Sequence, residues 1–230
     1  MAPEWHIAAD RGELARALAA TVAGALSAAV ARRGAAFLAV SGGATPALFL
    51  SELSRAAIDW SKLTVTLIDE RMAPPSSPRS NAGLVMDKLL RGPASAARFL
   101  PLYHAAASAE AAAALAADSL DAAPWPLDVA VLGMGTDGHT ASFFPDADGL
   151  DALLDPAADR LLMPVHAKSA LEERLTLTMQ PIISAGLLAL HVEGPEKRAT
   201  LDRALGAGDR LPIRAVLDSA QRPVQIFWAE

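Results

Sequence analysis

Residues 127–145 read LDVAVLGMGTDGHTASFFP. A short, nearly continuous apolar run at 127–132 breaks into a glycine-rich turn, Gly133-Met134-Gly135-Thr136-Asp137-Gly138. A run of that length predicts a strand covered on both faces, as in a parallel sheet. The turn contains a literal G-x-G-x-x-G, but that fingerprint should open a long helix near the start of a βαβ unit. Here Pro145 follows soon after, and the strand lies late in the chain. The glycines are better read as holding Asp137 and His139 in a tight, exposed turn.

The same pattern recurs outward from this stretch. Further apolar runs stand at 36–40 (AFLAV), 63–68 (LTVTLI), 161–165 (LLMPV), 187–192 (LLALHV) and 224–228 (VQIFW). Helical stretches lie between them, at 11–32, 46–56, 81–91, 108–120 and 196–205. The first has readable ends, with Asp10 as N-cap, Glu13 three residues on and Gly34 as the stop. Ser108 is placed to cap the fourth, and Glu110 suits its dipole. Alternating strands and helices predict an α/β fold around a mostly parallel sheet flanked by helices. No repeat or long linker divides residues 1–230, so one domain is expected.

Composition excludes several function classes. Alanine makes up 52 of the 230 residues, and the remaining apolar content is ordinary for a globular domain. The net charge of -6 and pI near 5.4 argue against nucleic-acid binding and against a polybasic membrane anchor. Without cysteine there is no disulfide scaffold, thiolate nucleophile or thiolate metal site. His6, His104, His139, His166 and His191 are scattered without ligand spacing, so no metal is expected. Leu14, Leu18, Val22, Leu26 and Val30 recur every four residues with Arg16 among them. That predicts an amphipathic helix of a soluble protein rather than a membrane span. The start, MAPEWHIAADRGELARAL, lacks a basic region followed by an apolar one, and a cytoplasmic location is expected.

Ligands of parallel α/β sheets sit at the carboxyl ends of strands, so the segments that follow strands carry the candidates. After 36–40 comes Ser41-Gly42-Gly43-Ala44-Thr45-Pro46. Its glycines let main-chain N–H groups approach an anion, and its hydroxyls add donors. The plainer alternative is a tight turn with Thr45 as a helix cap. After 63–68 come Asp69-Glu70-Arg71, a Pro/Ser loop at 73–78, and Arg79-Ser80-Asn81. Consecutive charges at the end of a buried strand need a reason, because buried charge is costly unless paired. The alternative is a solvated loop with a local ion pair. In the opening stretch, His139 beside the Asp137 carboxylate is a standard arrangement for a general base. Ser142 lacks a nucleophile elbow and reads as an N-cap. Arg174 and Lys197 are candidate phosphate ligands, one a planar fork and one a point charge, with a surface charge as the alternative for each.

Taken together, these segments resemble the 6-phosphogluconolactonase family. The matching stretches are SGGATP (41–46), LIDERMAP followed by RSN (67–74, 79–81), VLGMGTDGHTASFFP (131–145), RLTLT (174–178), GPEKR (194–198) and PIRAVL (212–217), ahead of VQIFWAE (224–230). The resemblance implies a Rossmann-like α/β fold shared with sugar-phosphate isomerases and glucosamine-6-phosphate deaminases. It implies hydrolysis of 6-phospho-glucono-1,5-lactone in the oxidative pentose phosphate pathway, with no metal or organic cofactor. Under it, His139 is the general base, tuned by Asp137. Asp69 and Arg71 border the reacting ring, with Arg71 either stabilising an oxyanion or binding substrate. Ser41, Gly42, Gly43, Thr45, Arg174 and Lys197 hold the 6-phosphate, while Arg79, Asn81 and Gly135 complete the substrate-binding set. The implied partner is a small phosphorylated sugar lactone, not nucleic acid or a membrane. A monomer is expected, with a homodimer as the alternative. Two positions depart from the family pattern: Arg79 stands where an acidic residue is common, and the loop reads MAPPSSP where a Val-Pro pair is more usual.

Two other functions compete. An amino-sugar phosphate deaminase on the same fold has a segment resembling DGHIAFNEP, with a glutamate five residues after the histidine. Here that position is Phe144, which cannot serve a proton relay. A sugar-phosphate sensor should carry a helix-turn-helix domain, and the strand at 36–40 begins after a single helix, leaving no spare segment.

Overall fold

The structure, a computed structural model, describes residues 1–206 and 210–230. Its elements run β1 (Glu4–Ile7), α1 (Arg11–Arg33), β2 (Ala36–Val40), α2 (Ala47–Leu53), β3 (Leu63–Leu67), β4 (Asp69–Arg71) and α3 (Asn81–Lys88). There follow β5 (Arg98–Leu100), α4 (Ala109–Asp121), β6 (Val129–Leu132), α5 (Leu150–Leu153), β7 (Leu162–Val165) and β8 (Arg174–Leu177). The chain closes with α6 (Met179–Ile183), β9 (Leu187–Glu193), α7 (Pro195–Leu205), α8 (Pro212–Ser219) and β10 (Gln225–Ala229).

Seven strands form one parallel sheet in the order β1-β10-β9-β6-β2-β3-β5. Every residue of β2, β3 and β6 is buried. This is why β2 and β6 read as unbroken apolar runs, while in β3 the buried Thr66 donates its hydroxyl to the Leu100 carbonyl at 2.8 Å. Connections from β2 lead to β3 and then β5 on one side, whereas β6 and β9 lie on the other. The order therefore reverses between β2 and β6, which opens a crevice at the carboxyl ends of those two strands.

α1 packs on β2, β6, β9 and β10 and against α2. By length and composition it could cross a membrane. Instead Leu14, Leu18, Val22 and Leu26 are fully buried inside the protein, each contributing about 1.5–3 kcal/mol of apolar burial. Asp10 accepts from the Glu13 main-chain N–H at 2.8 Å, and Gly34 ends the helix at φ 77°. That left-handed geometry is one a side chain adopts only with strain.

The sheet has a structural anchor at its amino-terminal edge. Asp128 accepts from the Phe37 main-chain N–H at 2.8 Å, from Arg33 Nε at 3.2 Å and from Arg33 Nη2, and lies 3.5 Å from Arg32.

A second sheet, β4-β8-β7, is antiparallel. Two expectations change here. The run at 161–165 is a strand, but it belongs to this small sheet rather than the parallel one. Asp69-Glu70-Arg71 is a strand and not a loop. Ile68 still donates to Val40 in the large sheet, while its carbonyl accepts from Leu177 of β8. The chain thus changes sheets at Ile68, and the charged residues beyond it are carried over the crevice. Pairing with β8, 105 positions away, is invisible to local periodicity.

Candidate active site

The loops after β2 and β6 meet at the crevice. Ser41 donates its main-chain N–H to Val131 at 2.9 Å, and its hydroxyl accepts from the Gly133 N–H at 3.2 Å. Between them opens a cavity of about 210 Å³. Of the residues singled out from the sequence, Ser41, Gly42, Gly43, Thr45, Asp69, Arg71, Asn81, Gly135, His139, Arg174 and Lys197 line it.

Asp137 and Arg79 do not line the cavity. Asp137 stands behind His139, its Oδ1 accepting from ring Nδ1 at 2.6 Å and from the His139 main-chain N–H at 3.2 Å. Arg79 turns away to Glu172 at 2.9 Å, and its carbonyl accepts from Arg71 Nη1. It therefore shapes the position of Arg71 through its main chain rather than presenting its own charge to the cavity.

The turn that carries His139 is closed by the Gly135 N–H on the His139 carbonyl at 2.9 Å, and by the Thr140 hydroxyl on the Gly133 carbonyl at 2.8 Å. A Cβ on Gly135 would stand 2.4 Å from the His139 ring and 2.5 Å from Asp137 Oδ1. Only glycine lets the two side chains fold back onto this backbone. With Nδ1 donating to Asp137, the other nitrogen, Nε2, is left as an acceptor. Burial works to raise the Asp137 pKa, but its hydrogen bond and charge interaction with His139 outweigh that and hold it below its ordinary value. The His139 ring packs on Phe144, with centroids 4.5 Å apart.

The adjoining wall is cationic. Arg174 lies over Phe144 at 5.6 Å and faces Arg71 across the β4–β8 ladder. Like charges directly opposite destabilise a ladder. Burial lowers the Arg174 pKa, Asp69 raises it and Arg71 lowers it further. The Nε atoms of both arginines are buried without a protein partner, and Arg174 lies 4.0 Å from Glu172. Lys197 donates to the Thr45 hydroxyl at 3.2 Å. Its pKa is lowered by burial, against the opposing pull of Glu193 and Glu196. Thr45 thus serves Lys197 and does not cap α2, whose N-cap position is Pro46.

Asp69 is buried and accepts from the Ser142 hydroxyl at 2.7 Å. Ser142 is therefore a support for Asp69 and not a helix cap. Ala141 before it holds φ 52°, a strained value for a residue with a side chain. Glu70, between the two cavity residues of β4, is fully buried and points the other way. It accepts from the N–H groups of Arg71, Asn81 and Ala82 and from the Ser80 hydroxyl, at 2.7–3.1 Å. Burial raises its pKa, and these four donors counter the rise. Glu70 was not assigned a role from the sequence; its signal was the run of charges at the end of a buried strand. His191 near the end of β9 also lines the cavity, and its signal was a lone histidine at a strand's carboxyl end. Among the described residues no group of His, Asp or Glu side chains converges as a metal site.

The family model described as glucosamine-6-phosphate isomerases/6-phosphogluconolactonase matches residues 9–228. The chain belongs to that family. Within it, a 6-phosphogluconolactonase of Mesorhizobium japonicum is 60% identical, over 98% of this chain and 94% of that protein. The 6-phosphogluconolactonase of Rhizobium meliloti is 52% identical over the full length of both. A crystal structure of a 6-phosphogluconolactonase from Shewanella baltica superposes with a TM-score of 0.94 at 39% identity, covering 99% of this chain and 98% of that one. The α/β architecture expected from the alternating strands and helices is the architecture of this family.

Proposed function

We propose that the protein hydrolyses 6-phospho-D-glucono-1,5-lactone to 6-phosphogluconate, the step of the oxidative pentose phosphate pathway that opens the lactone ring. The observation that carries this reading is one cavity lined by His139, with Asp137 behind it, and by a cationic wall, with Phe144 where a deaminase needs a second acid/base group. The identity of the curated relatives supports the same substrate.

In this reading Asp137 fixes the His139 tautomer, and Nε2 takes a proton from water as the water oxygen attacks the lactone carbonyl carbon. Negative charge develops on the carbonyl oxygen, where Arg71 supplies a fixed cation. Collapse breaks the bond to the ring oxygen, which receives the proton held by His139. The new acid then ionises, releasing one proton per turnover. Lys197, Thr45, Arg174 and the Ser41-Gly42-Gly43 main chain bind the 6-phosphate, while Asp69, Asn81 and Gly135 border the ring. A strained lactone is already electrophilic, so one base suffices and no metal or organic cofactor is invoked. We read residues 1–230 as one catalytic domain, acting as a monomer in the cytoplasm.

The test is a pH-stat assay with freshly generated lactone, run beside an ammonia assay with glucosamine 6-phosphate. Lactone hydrolysis above the spontaneous rate is expected. Ammonia release without it would establish a deaminase, and binding of either sugar phosphate without turnover would establish a sensor.

A further inference from the structure

The turn that carries Asp137 and His139 is gripped from outside at the carbonyls of both residues that flank Asp137. The Thr136 carbonyl accepts from the Thr200 hydroxyl of α7 at 2.9 Å. The Gly138 carbonyl accepts from the Ile213 main-chain N–H of α8 at 3.1 Å, and a Cβ on Gly138 would stand 2.7 Å from Leu211. The two helices are themselves joined. Arg214 of α8 donates through Nη1 to the carbonyls of Ala204, Leu205 and Gly206, at 3.1–3.3 Å, where α7 ends. α7 also bears Lys197, three positions before Thr200 and so one turn away on the same face. Lys197 lines the cavity and donates to Thr45. Thr200 is buried. A threonine hydroxyl inside a helix can turn back to the carbonyl four positions earlier. Here it crosses to the turn instead, and it accepts from Arg203 Nη2 at 3.3 Å. Its single donor is committed to joining helix and turn.

We propose that Thr200 is a positioning residue: by fixing the Thr136 carbonyl to the helix that bears Lys197, it sets the His139–Asp137 turn in register with the phosphate-binding end of the cavity. The inference rests on the lactonase reading and deepens it. Thr200 does not line the cavity and acts only through the turn. Asp137 and His139 hold each other within that turn, so their hydrogen bond survives the loss of Thr200. What changes is where the turn sits relative to α7. A lactone anchored by its phosphate then meets a displaced base, and misplacement of a reacting group lowers turnover rather than affinity.

The experiment compares Thr200→Val, which keeps the shape of the side chain and removes the hydroxyl, with Thr200→Ser, which keeps the hydroxyl. Folding is checked by thermal melting, kcat is read in the pH-stat, and affinity for 6-phosphogluconate is read by calorimetry. Thr200→Val is expected to lower kcat at least about threefold, the size of one neutral hydrogen bond, with product affinity within about twofold of the unsubstituted enzyme. Thr200→Ser is expected to restore kcat. If Thr200→Val does not fold, Thr200→Ala against Thr200→Ser makes the same comparison. A folded variant without the hydroxyl that keeps kcat within threefold overturns the proposal and leaves the lactonase reading standing. So does a loss carried by product affinity, which would place Thr200 with the phosphate ligands, or an equal loss of kcat in Thr200→Ser, which would make its role one of packing. Absence of lactone hydrolysis by the unsubstituted enzyme overturns both.

Discussion

Replacing Asp137 with Asn isolates what the carboxylate does for His139. The change keeps the shape of the side chain and an oxygen at the Oδ1 position, 2.6 Å from the ring nitrogen. It removes the charge. A hydrogen bond to a charged group contributes about 1.5–3 kcal/mol and a neutral one about 0.5–1.5 kcal/mol, so the loss is roughly 1–1.5 kcal/mol. At about 1.4 kcal/mol per decade, kcat should fall about tenfold. Side chains 30% and 42% exposed keep the effect far below the roughly 10⁴-fold seen for a buried triad carboxylate. The assay is proton release in a pH-stat, with spontaneous hydrolysis subtracted and folding checked by thermal melting. The same substitution has a stability signature. Asp137 is held below its ordinary value in the folded state. Its contribution is therefore present above the unfolded value of about 3.9 and disappears as pH falls through the lowered folded value. The stability gap between parent and Asp137→Asn should close over that acidic range. A folded variant with kcat within twofold of the parent, or one that changes KM alone, would refute the orienting role.

His139→Ala should lower kcat by about 100-fold or more with little change in product binding, measured in the same pH-stat and by calorimetry with 6-phosphogluconate. Arg174→Ala should raise KM for the phosphorylated lactone roughly tenfold or more. Unphosphorylated gluconolactone should be unaffected, and an equal loss on both would remove Arg174 from the phosphate site. Asp128→Ala breaks the anchor at the opposite edge of the sheet. It should cost about 3 kcal/mol by leaving the arginines without their carboxylate, or roughly 6–12 °C in Tm. Its kcat should be unchanged at assay temperature.

The parallel core was legible because its strands are apolar on both faces, so 36–40 alone identifies β2 to the residue. The edge strands β1 and β5 were not, since Glu4 and Arg98 break any apolar pattern. β4 and β8 hid for a different reason. Their residues are polar or alternating, and they pair across about a hundred residues of intervening helices and strands, β8 lying between β4 and β7. α8 lay unread as a helix within a segment quoted for its resemblance. In the site, residues held by their own loop were readable, as with Asp137 and His139. Residues whose role depends on a distant partner were not. Arg79 is drawn off by Glu172, Ser142 is committed to Asp69, and Glu70 gathers donors from a helix that begins 11 positions later.

The placement of Arg71 opposite Arg174 has a consequence for how long the protein lasts. The two strands set like charges side by side, with Glu172 4.0 Å from Arg174 and Asp69 adding a second negative charge. An anion bound there adds counter-charge, and the free energy of its binding is added to that of folding. Occupancy thus guards the fold: at an anion concentration 100 times its dissociation constant, unfolding becomes about 2.7 kcal/mol harder. A cell rich in the substrate or its product would keep this chain from proteases, and a starved one would let it turn over sooner.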